Sequence, residues 1–247
     1  MEAVAVIPAR YKSSRFEGKV LADILGKPML QYVWESAKEA KLLDEVIVAC
    51  DDEKVKEIAQ GFGAKVVMTA KQHLSGTDRI AEVVALMDVK VVVNIQADEP
   101  LIKPVMIDSI VDALLKDRSL EMVTLMKRIT DPNDINNPNV VKVVVDKNNF
   151  ALYFSRAPIP YRAFDSEVKE PVYFKHIGIY GYTKDFLFIY KNIPVSLLEK
   201  TEKLEQLRVL SEGYRIKVLE TKYDTIGVDT PQDLEKVKEY LKKEKTN

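Results

Sequence analysis

A chain of 247 residues is long for one domain and short for two, so its length predicts one core that carries a smaller insertion. Its 37 lysine and arginine side chains nearly balance 38 aspartate and glutamate side chains, which argues against partners such as nucleic acid or an anionic membrane. The single cysteine, Cys50, excludes an internal disulfide and predicts a cytoplasmic protein. The short apolar run at the start lacks a basic flank, which predicts neither a signal peptide nor a membrane span.

The first apolar run, Ala3 to Ile7, leads directly into a basic loop. A strand buried on both faces is apolar throughout, so this run predicts a central strand of a parallel sheet. Ligands of such sheets bind at the carboxyl ends of the strands. The loop combines four cations with small residues that let backbone N–H groups approach an anion: Arg10, Lys12, Arg15 and Lys19, with Ala9, Ser13, Ser14 and Gly18. We interpret it as a triphosphate site; the alternative is a solvated basic turn.

Strands and helices then alternate up to about residue 120. Strands are predicted at 45–50, 65–69 and 89–95, and helices begin near Pro28, at Asp51 or Asp52, at Ser75 or Thr77, and at Pro104. Alternation with short loops predicts an α/β fold with a doubly wound, mostly parallel sheet.

The rhythm changes after residue 120. Strands are predicted at 122–129 and 173–182, a hairpin at 140–146 and 150–154, helices at 184–191 and 197–212, a strand at 215–219 and a last helix from Thr230. We predict a nucleotide-binding α/β core from residues 1–120 and 214–247. Residues 121–213 are predicted to form a smaller antiparallel subdomain for dimerisation.

Two aspartates are candidate ligands for Mg²⁺, a hard ion that prefers carboxylate and phosphate oxygens. Asp98 follows the strand predicted at 89–95, and Asp229 precedes the last helix. Because Thr230 can cap that helix, the Asp229 carboxylate is a candidate second ligand. The alternative for either aspartate is a local role as a turn former or helix cap.

Three further features carry candidate chemistry. The turn from Ser75 to Arg79 offers a helix N-terminus that suits a nucleotide base or ribose, although Arg79 could instead pair with Asp78 or Glu82. The guanidinium of Arg156 suits a substrate carboxylate. His176, on a strand rich in aromatic residues, is either structural or part of a site.

Eight motifs occur in an order that resembles the 3-deoxy-manno-octulosonate cytidylyltransferase family. They are Ile7-Pro8-Ala9-Arg10-Tyr11 with Ser14-Arg15 and Gly18-Lys19, His73-x-Ser75-Gly76-Thr77-Asp78-Arg79, Gln96-x-Asp98-Glu99-Pro100, Asn137-Pro138-Asn139-x-Val141-Lys142-Val143-Val144, Ala151-Leu152-Tyr153-Phe154-Ser155-Arg156, His176-Ile177-Gly178-Ile179-Tyr180-Gly181-Tyr182, Leu204-Glu205-Gln206-Leu207-Arg208 and Gly227-Val228-Asp229-Thr230-Pro231. One departure is Ala97, where the family is expected to have glycine.

The resemblance implies that the anomeric hydroxyl of 3-deoxy-manno-octulosonate (Kdo) attacks the α-phosphate of CTP. The products are CMP-Kdo, an activated sugar for lipopolysaccharide biosynthesis, and pyrophosphate. It also implies a homodimer and Mg²⁺ on Asp98 and Asp229, which with Arg10 and Lys19 are the expected catalytic residues. Expected nucleotide-binding residues are Ala9, Arg10, Arg15, Lys19, Thr69, Ser75, Gly76, Thr77, Asp78, Arg79 and Gln96. The resemblance also assigns sugar binding to the antiparallel subdomain, residues 121–213. Expected sugar-binding residues are Arg156, His176, Tyr180, Tyr182, Glu205 and Gln206.

Two alternatives to this function are open at this stage. An acylneuraminate cytidylyltransferase would use the same sheet for another keto-sugar acid. A regulatory protein could bind the nucleotide sugar without turnover.

Overall fold

The computed structural model describes residues 1–12, 16–73, 75–168 and 170–246, without the side chains of residues 245 and 246. The strands of this part of the chain are β1 (Ala3–Ala9), β2 (Asp23–Ile24), β3 (Lys27–Pro28), β4 (Glu45–Cys50), β5 (Lys65–Met68), β6 (Val91–Asn94), β7 (Met122–Arg128), β8 (Lys142–Val145), β9 (Ala151–Ser155), β10 (Phe174–Thr183) and β11 (Lys217–Glu220). Its α-helices are α1 (Met29–Lys38), α2 (Glu53–Gly61), α3 (Gly76–Val84), α4 (Pro104–Lys116), α5 (Pro132–Asn136), α6 (Lys184–Tyr190), α7 (Leu197–Glu202), α8 (Leu207–Ser211) and α9 (Pro231–Thr246).

The central sheet has the strand order β11-β7-β10-β6-β1-β4-β5. β1 pairs in parallel with β4 and β6, and β4 pairs in parallel with β5. β10 is antiparallel to both of its neighbours, β6 and β7, while β11 is parallel to β7. The predicted α/β fold with a doubly wound, mostly parallel sheet is therefore confirmed.

Two apolar layers cover the faces of this sheet, which explains why β1 is apolar throughout. Ala3, Ala5 and Ile7 pack into the layer that contains α1, α2 and α4. Val4 and Val6 point the other way, into the layer that contains α3, α6 and α8. All five side chains are fully buried, as the central position of β1 requires.

Part of the region predicted as an antiparallel subdomain continues the central sheet. β7 and β10 lie between β6 and β11, and β7 runs in the same direction as β6. β10 buries Ile177 and Ile179 in one layer and Tyr182 in the other, which a position inside the sheet allows. The β8–β9 hairpin is antiparallel, and β8 also pairs with β10. The division into residues 1–120 with 214–247, and 121–213, stays a prediction.

The single helix predicted at 197–212 is wrong, because this segment forms α7 and α8. Lys203 ends α7 in the left-handed conformation, with φ 56°. The break lets the chain bury Leu204 and Gln206 before α8 begins. Nothing in the local periodicity marks this break, since it depends on what the side chains contact in the fold. Gly213, with φ 84°, follows α8 as the predicted C-terminal glycine.

Gly181 is a position where α4 packs directly on β10, and we predict that a side chain there destabilises the fold. A Cβ at Gly181 would lie 2.3 Å from Ile110 Cγ2 and 2.8 Å from Leu114 Cδ1. Gly181→Ala should therefore lower the free energy of unfolding by about 1–3 kcal/mol, measured by urea denaturation. Gly61→Ala is the control, because a Cβ there meets no atom within 4 Å. Equal unfolding midpoints for the two variants would contradict the prediction.

Candidate active site

Two adjoining cavities lie at the carboxyl edge of β1 and β6. The first, the basic cavity, has a volume of about 310 Å³ and is lined by residues that include Arg10, Lys12, Lys19, Gly76, Gln96 and Asp98. The second, the aromatic cavity, has a volume of about 340 Å³. Its lining includes all six side chains predicted to bind the sugar acid: Arg156, His176, Tyr180, Tyr182, Glu205 and Gln206. Gln96 lines both cavities, so they share a wall.

Asp98 and Asp229, 131 positions apart, share one ammonium group. Lys19 Nζ lies 2.6 Å from Asp98 Oδ2 and 3.0 Å from Asp229 Oδ1. Burial disfavours the charged ammonium of Lys19, but the charges and hydrogen bonds of the two aspartates outweigh burial and raise its pKa. Asp98 lines the basic cavity and Asp229 lines the aromatic cavity. The carboxylate pair therefore lies where the two cavities meet.

The segment before α9 places Asp229 without using its carboxylate as the helix cap. Thr230 Oγ1 accepts a hydrogen bond from Asp233 N at 3.3 Å, and Thr230 N donates to Asp233 Oδ2 at 3.1 Å. The predicted cap by Thr230 is confirmed. Val228 N also donates to Asp98 O at 2.9 Å, which ties the two aspartate segments together.

The turn before α3 forms a capping box, so much of its polarity serves the helix. Ser75 Oγ accepts from Asp78 N at 3.1 Å, and Asp78 Oδ2 accepts from Ser75 N at 3.1 Å. Gly76 lines the basic cavity, and a Cβ there would lie 3.3 Å from Pro8 Cγ. Thr77 lines the aromatic cavity. Ser75 thus takes the cap that the sequence left open between Ser75 and Thr77.

Arg79 lies beneath the site rather than in it. Its side chain has no exposed surface, and Nη2 pairs with Asp51 Oδ2 at 2.7 Å. Nη1 donates to Thr69 Oγ1, which itself donates to Cys50 O at 3.1 Å. Pairing of Arg79 with Asp78 or Glu82 is therefore wrong. Its contact with the nucleotide stays a prediction, and in the structure its guanidinium joins the ends of β4 and β5.

The basic loop is described on both sides of residues 13–15. Arg10 Nη2 donates to His73 O at 3.0 Å, and burial followed by the charge of Arg79 lowers the pKa of Arg10. Ala9 is buried at the end of β1, and Ala97 lines the basic cavity with 4% exposure. Arg15, predicted to bind nucleotide, lies outside the described residues.

Three aromatic rings, those of His176, Tyr180 and Tyr182, line the aromatic cavity, and the buried ring of Phe154 packs behind His176. The centroid distances are 4.9 Å for Phe154–His176, 5.4 Å for His176–Tyr180 and 6.2 Å for Tyr180–Tyr182. Burial, followed by the charge of Glu205, raises the pKa of Tyr180. Both hydroxyls remain protonated at neutral pH, because burial also raises the pKa of Tyr182. The wall therefore combines apolar faces with neutral phenols.

Glu205 and Gln206 reach the cavity from the break between α7 and α8. Glu205 Oε1 and Gln206 Nε2 are inaccessible to solvent and make no hydrogen bond within the described chain, although Arg208 Nη2 lies 3.9 Å from Glu205 Oε1. Burial raises the pKa of Glu205 above its ordinary value. Because buried polar atoms are normally paired, these two atoms suit the hydroxyl groups of a ligand.

Arg156 is oriented by backbone carbonyls rather than by an acidic side chain. Nε donates to Glu202 O at 2.8 Å, and Nη1 donates to Pro138 O at 2.9 Å. The carboxylate of Glu202 accepts from Arg156 N at 2.9 Å and from Ser155 Oγ at 2.6 Å. The guanidinium therefore lies at the cavity, and among the described residues no carboxylate binds its nitrogen atoms.

His176 is neutral in the fold, and we predict a matching pH dependence of stability. Burial lowers its pKa from 6.5 to about 3, and its Nε2 lies 2.9 Å from Thr124 Oγ1. Below about pH 6.5 the imidazole of His176 is protonated in the unfolded state, whereas in the folded state it stays neutral down to about pH 3. The free energy of unfolding therefore decreases as the pH falls from about 6.5 to about 3. The loss is at most about 1.4 kcal/mol per pH unit.

The measurement is the free energy of unfolding of the wild type and His176→Gln at pH 7 and pH 5. The wild type should lose more stability than the variant between these values, because glutamine does not titrate. Parallel losses in the two proteins would show that His176 is protonated in the fold.

Comparison with known proteins identifies the family. Residues 4–217 match the family model described as cytidylyltransferase. The chain is 52% identical over 251 residues to the 3-deoxy-manno-octulosonate cytidylyltransferase of Geotalea uraniireducens (strain Rf4), with 98% of this chain and 100% of that protein covered. It is 53% identical over 239 residues to the protein of the same description in Solibacter usitatus (strain Ellin6076), with 97% and 94% covered. The chain belongs to the 3-deoxy-manno-octulosonate cytidylyltransferase family.

A solved member has closely the same fold. It is CMP:2-keto-3-deoxy-manno-octonic acid synthetase complexed with CTP, which superposes with a TM-score of 0.92 at 43% identity. The match covers 99% of this chain and 100% of that chain. The resemblance found in the eight motifs is therefore confirmed, and the acylneuraminate alternative is set aside.

Several residues of this cytidylyltransferase site were not predicted from the sequence. Asn94 Oδ1 accepts from Gln96 Nε2 at 3.0 Å, and Thr124 Oγ1 donates to Ile179 O at 2.8 Å beside His176. Each is a polar residue inside an apolar strand, which is the signal that could have found it. Tyr190 lines the aromatic cavity, and Glu202 supports Arg156. Neither has a local signal, because their roles depend on how α6 and α7 pack.

The structure also bears on the membrane question. Within the described residues, no helix is both long and apolar enough to cross a bilayer.

Proposed function

We propose that this cytidylyltransferase transfers CMP from CTP to the anomeric hydroxyl of Kdo and releases pyrophosphate. The observation that carries the proposal is the carboxylate pair Asp98 and Asp229 at the junction of a basic and an aromatic cavity. A triphosphate and a sugar acid need different surroundings, and their reacting atoms must meet. The two cavities supply both conditions, and the name of the CTP-bound relative agrees with them.

CTP is assigned to the basic cavity. Arg10, Lys12 and Lys19 supply three cations for its phosphates, and Gln96 lies at the wall shared with the second cavity. Phosphoryl and nucleotidyl transfer depend mainly on positioning and charge stabilisation, so these side chains need no covalent step.

Kdo is assigned to the aromatic cavity. Arg156 binds its carboxylate, since no described acidic side chain occupies the guanidinium nitrogens. Glu205 Oε1 and Gln206 Nε2 bind hydroxyls, because both are shielded from water and without a hydrogen-bond partner among the described groups. His176 and Tyr180 form the wall against which the sugar packs.

Asp98 and Asp229 fit a Mg²⁺ ion. Their oxygens already accommodate a cation between them, the ammonium of Lys19, and carboxylate oxygens are the ligands that Mg²⁺ prefers. The described residues contain no group of three or more histidine, cysteine, aspartate or glutamate side chains able to hold a metal, so phosphate and water would complete the coordination. When bound, the ion supplies neutralisation of the charge that develops on the α-phosphate.

Pyrophosphate release tests this function directly. The chain is mixed with CTP, Kdo and Mg²⁺, and release is compared with reactions that lack one component. Release that requires all three supports the cytidylyltransferase. Binding of CTP and Kdo without release would support the regulatory alternative.

We also propose a homodimer formed through residues 121–213. Leu152, Leu197 and Leu198 are 63%, 78% and 40% exposed, and β9 pairs only with β8 among the described strands. Exposed apolar side chains beside an open strand edge favour association. Light scattering at micromolar concentration should give twice the mass of the chain, and a monomer mass would contradict the proposal.

A cytoplasmic location stays a prediction from the single, buried Cys50.

A further inference from the structure

The segment that delivers Asp229 crosses much of the sheet. We call residues 221–230, between β11 and α9, the crossing segment. β11 is the edge strand, whereas Asp98 follows β6, and β7 and β10 lie between them. At its start Thr221 N donates to Met126 O of β7 at 2.9 Å, and near its end Val228 N donates to Asp98 O, beyond β6, at 2.9 Å. Asp229 therefore depends on a long, irregular stretch for its position.

Beneath this segment the sheet holds two like charges directly opposite each other. Lys127 of β7 and Lys175 of β10 are register partners, and their side chains are only 15% and 13% exposed. Directly opposed like charges destabilise a strand pair. Asp224 of the crossing segment binds both: Lys127 Nζ donates to Oδ2 at 2.8 Å, and Lys175 Nζ donates to Oδ1. The negative charge of Asp224 thus offsets the repulsion between the two ammonium groups, and both groups hold the crossing segment on the sheet.

Further contacts continue from Asp224 towards Asp229. Lys175 Nζ donates to Thr225 O at 3.3 Å, and the segment then passes next to Glu99, which follows Asp98 directly. At Gly227 a Cβ would lie 3.2 Å from Glu99 Oε1. The segment is therefore attached to the sheet at successive points. At Asp224 the attachment is ionic, because a carboxylate of the segment pairs with two ammonium groups of the sheet.

Burial disfavours the carboxylate form of Asp224, but the hydrogen bonds and charges of Lys127 and Lys175 outweigh burial and lower its pKa. Neither lysine is among the described residues that line the two cavities. Both lysines contact Asp224 of the crossing segment, so the segment is one route by which they can affect the site.

We propose that Lys127 and Lys175 are positioning residues that, through Asp224, hold the crossing segment on the sheet and so keep Asp229 beside Asp98. We call the three side chains the lysine clamp. Its importance for turnover rests on the proposed function, in which Asp229 acts with Asp98, whereas its importance for the position of the segment does not.

Hydrogen exchange of the metal-free chain tests the clamp without relying on activity. In Asp224→Asn, peptides that contain residue 228 should exchange at least about tenfold faster than in the wild type, while peptides from α4 and β4 stay unchanged. Asp112→Asn is the matched control, because Asp112 pairs with Lys116 at the same 2.8 Å on the exposed face of α4. Equal exchange at residue 228 in the wild type and Asp224→Asn would overturn the clamp.

A double variant separates positioning from stability. Lys127→Met with Lys175→Met removes the opposed charges, so a purely structural role predicts unchanged or higher stability and full protection at residue 228. The clamp instead predicts that residue 228 exchanges faster in the double variant, as it does in Asp224→Asn. The single variant Asp224→Glu keeps a carboxylate and should exchange more slowly at residue 228 than Asp224→Asn. Full protection in the double variant would overturn the clamp.

Turnover supplies the link to function. In Asp224→Asn we expect kcat to fall about tenfold or more while the KM for Kdo stays near that of the wild type, because the variant leaves Arg156, Glu205 and Gln206, the side chains assigned to Kdo, in place. If the wild type itself released no pyrophosphate, the proposed function would fail, and the exchange comparison would still decide the clamp.

Discussion

Asp98→Asn and Asp229→Asn should each lower turnover by about three orders of magnitude or more while the fold persists. Both carboxylates contact the same ammonium of Lys19 and lie where the two cavities meet. An amide keeps the shape of the side chain but loses the negative charge that a cation between the two groups requires. The measurement is steady-state pyrophosphate release at saturating CTP, Kdo and Mg²⁺, with thermal unfolding as the check on the fold.

The double variant tests whether the two aspartates act as one unit. Since both serve the same cation, it should lose little more activity than either single variant. Asp112→Asn, which changes an exposed carboxylate on α4, should keep full turnover. Near-native turnover of Asp98→Asn would reject the assignment of both residues. Near-native turnover of Asp229→Asn alone would mean that Asp229 is not a metal ligand and has only a local structural role before α9.

Arg156→Ala should raise the KM for Kdo far more than the KM for CTP. Loss of a charged hydrogen-bonding partner costs about 2–5 kcal/mol, which corresponds to roughly 30- to 5,000-fold. The structure sharpens this expectation, because Nε and Nη1 are fixed by the carbonyls of Glu202 and Pro138. Arg156→Lys should also be impaired, since a lysine cannot reproduce a planar guanidinium held at two points. Initial rates with one substrate varied at a time give the two constants.

Arg118→Ala is the control for Arg156, because Arg118 is exposed after α4. It should leave both constants unchanged. An equal rise of the two constants in Arg156→Ala would mean that Arg156 supports the fold around Pro138 rather than recognising the sugar acid.

The position of the site was predictable because its signals are local. β1 is apolar throughout and is followed at once by Arg10 and Lys19, and ligands of parallel sheets bind at that edge. The caps at Ser75 and Thr230 lie within three residues of their partners, Asp78 and Asp233. The six sugar-binding candidates came from the motifs of the family, and the fold brings all of them to one cavity.

The partners of the buried charges were not predictable in the same way. Arg79 was expected to reach the nucleotide or to pair with Asp78 or Glu82, yet it is buried against Asp51, 28 positions earlier. Local spacing favours neighbours on the same helix, whereas desolvation of a guanidinium selects whichever carboxylate the neighbouring strand brings beneath it.

The residue types and spacings of the chain thus determine its strands, most of its helices, the basic loop and the two aspartates after their segments. The tertiary structure decides the place of β10 between β6 and β7, the break at Lys203 and the pairing of Lys127 with Lys175 under Asp224. These features depend on the order of the strands and on which charged side chains are buried next to one another. Both follow from contacts between distant parts of the chain, which short-range periodicity of the sequence does not indicate.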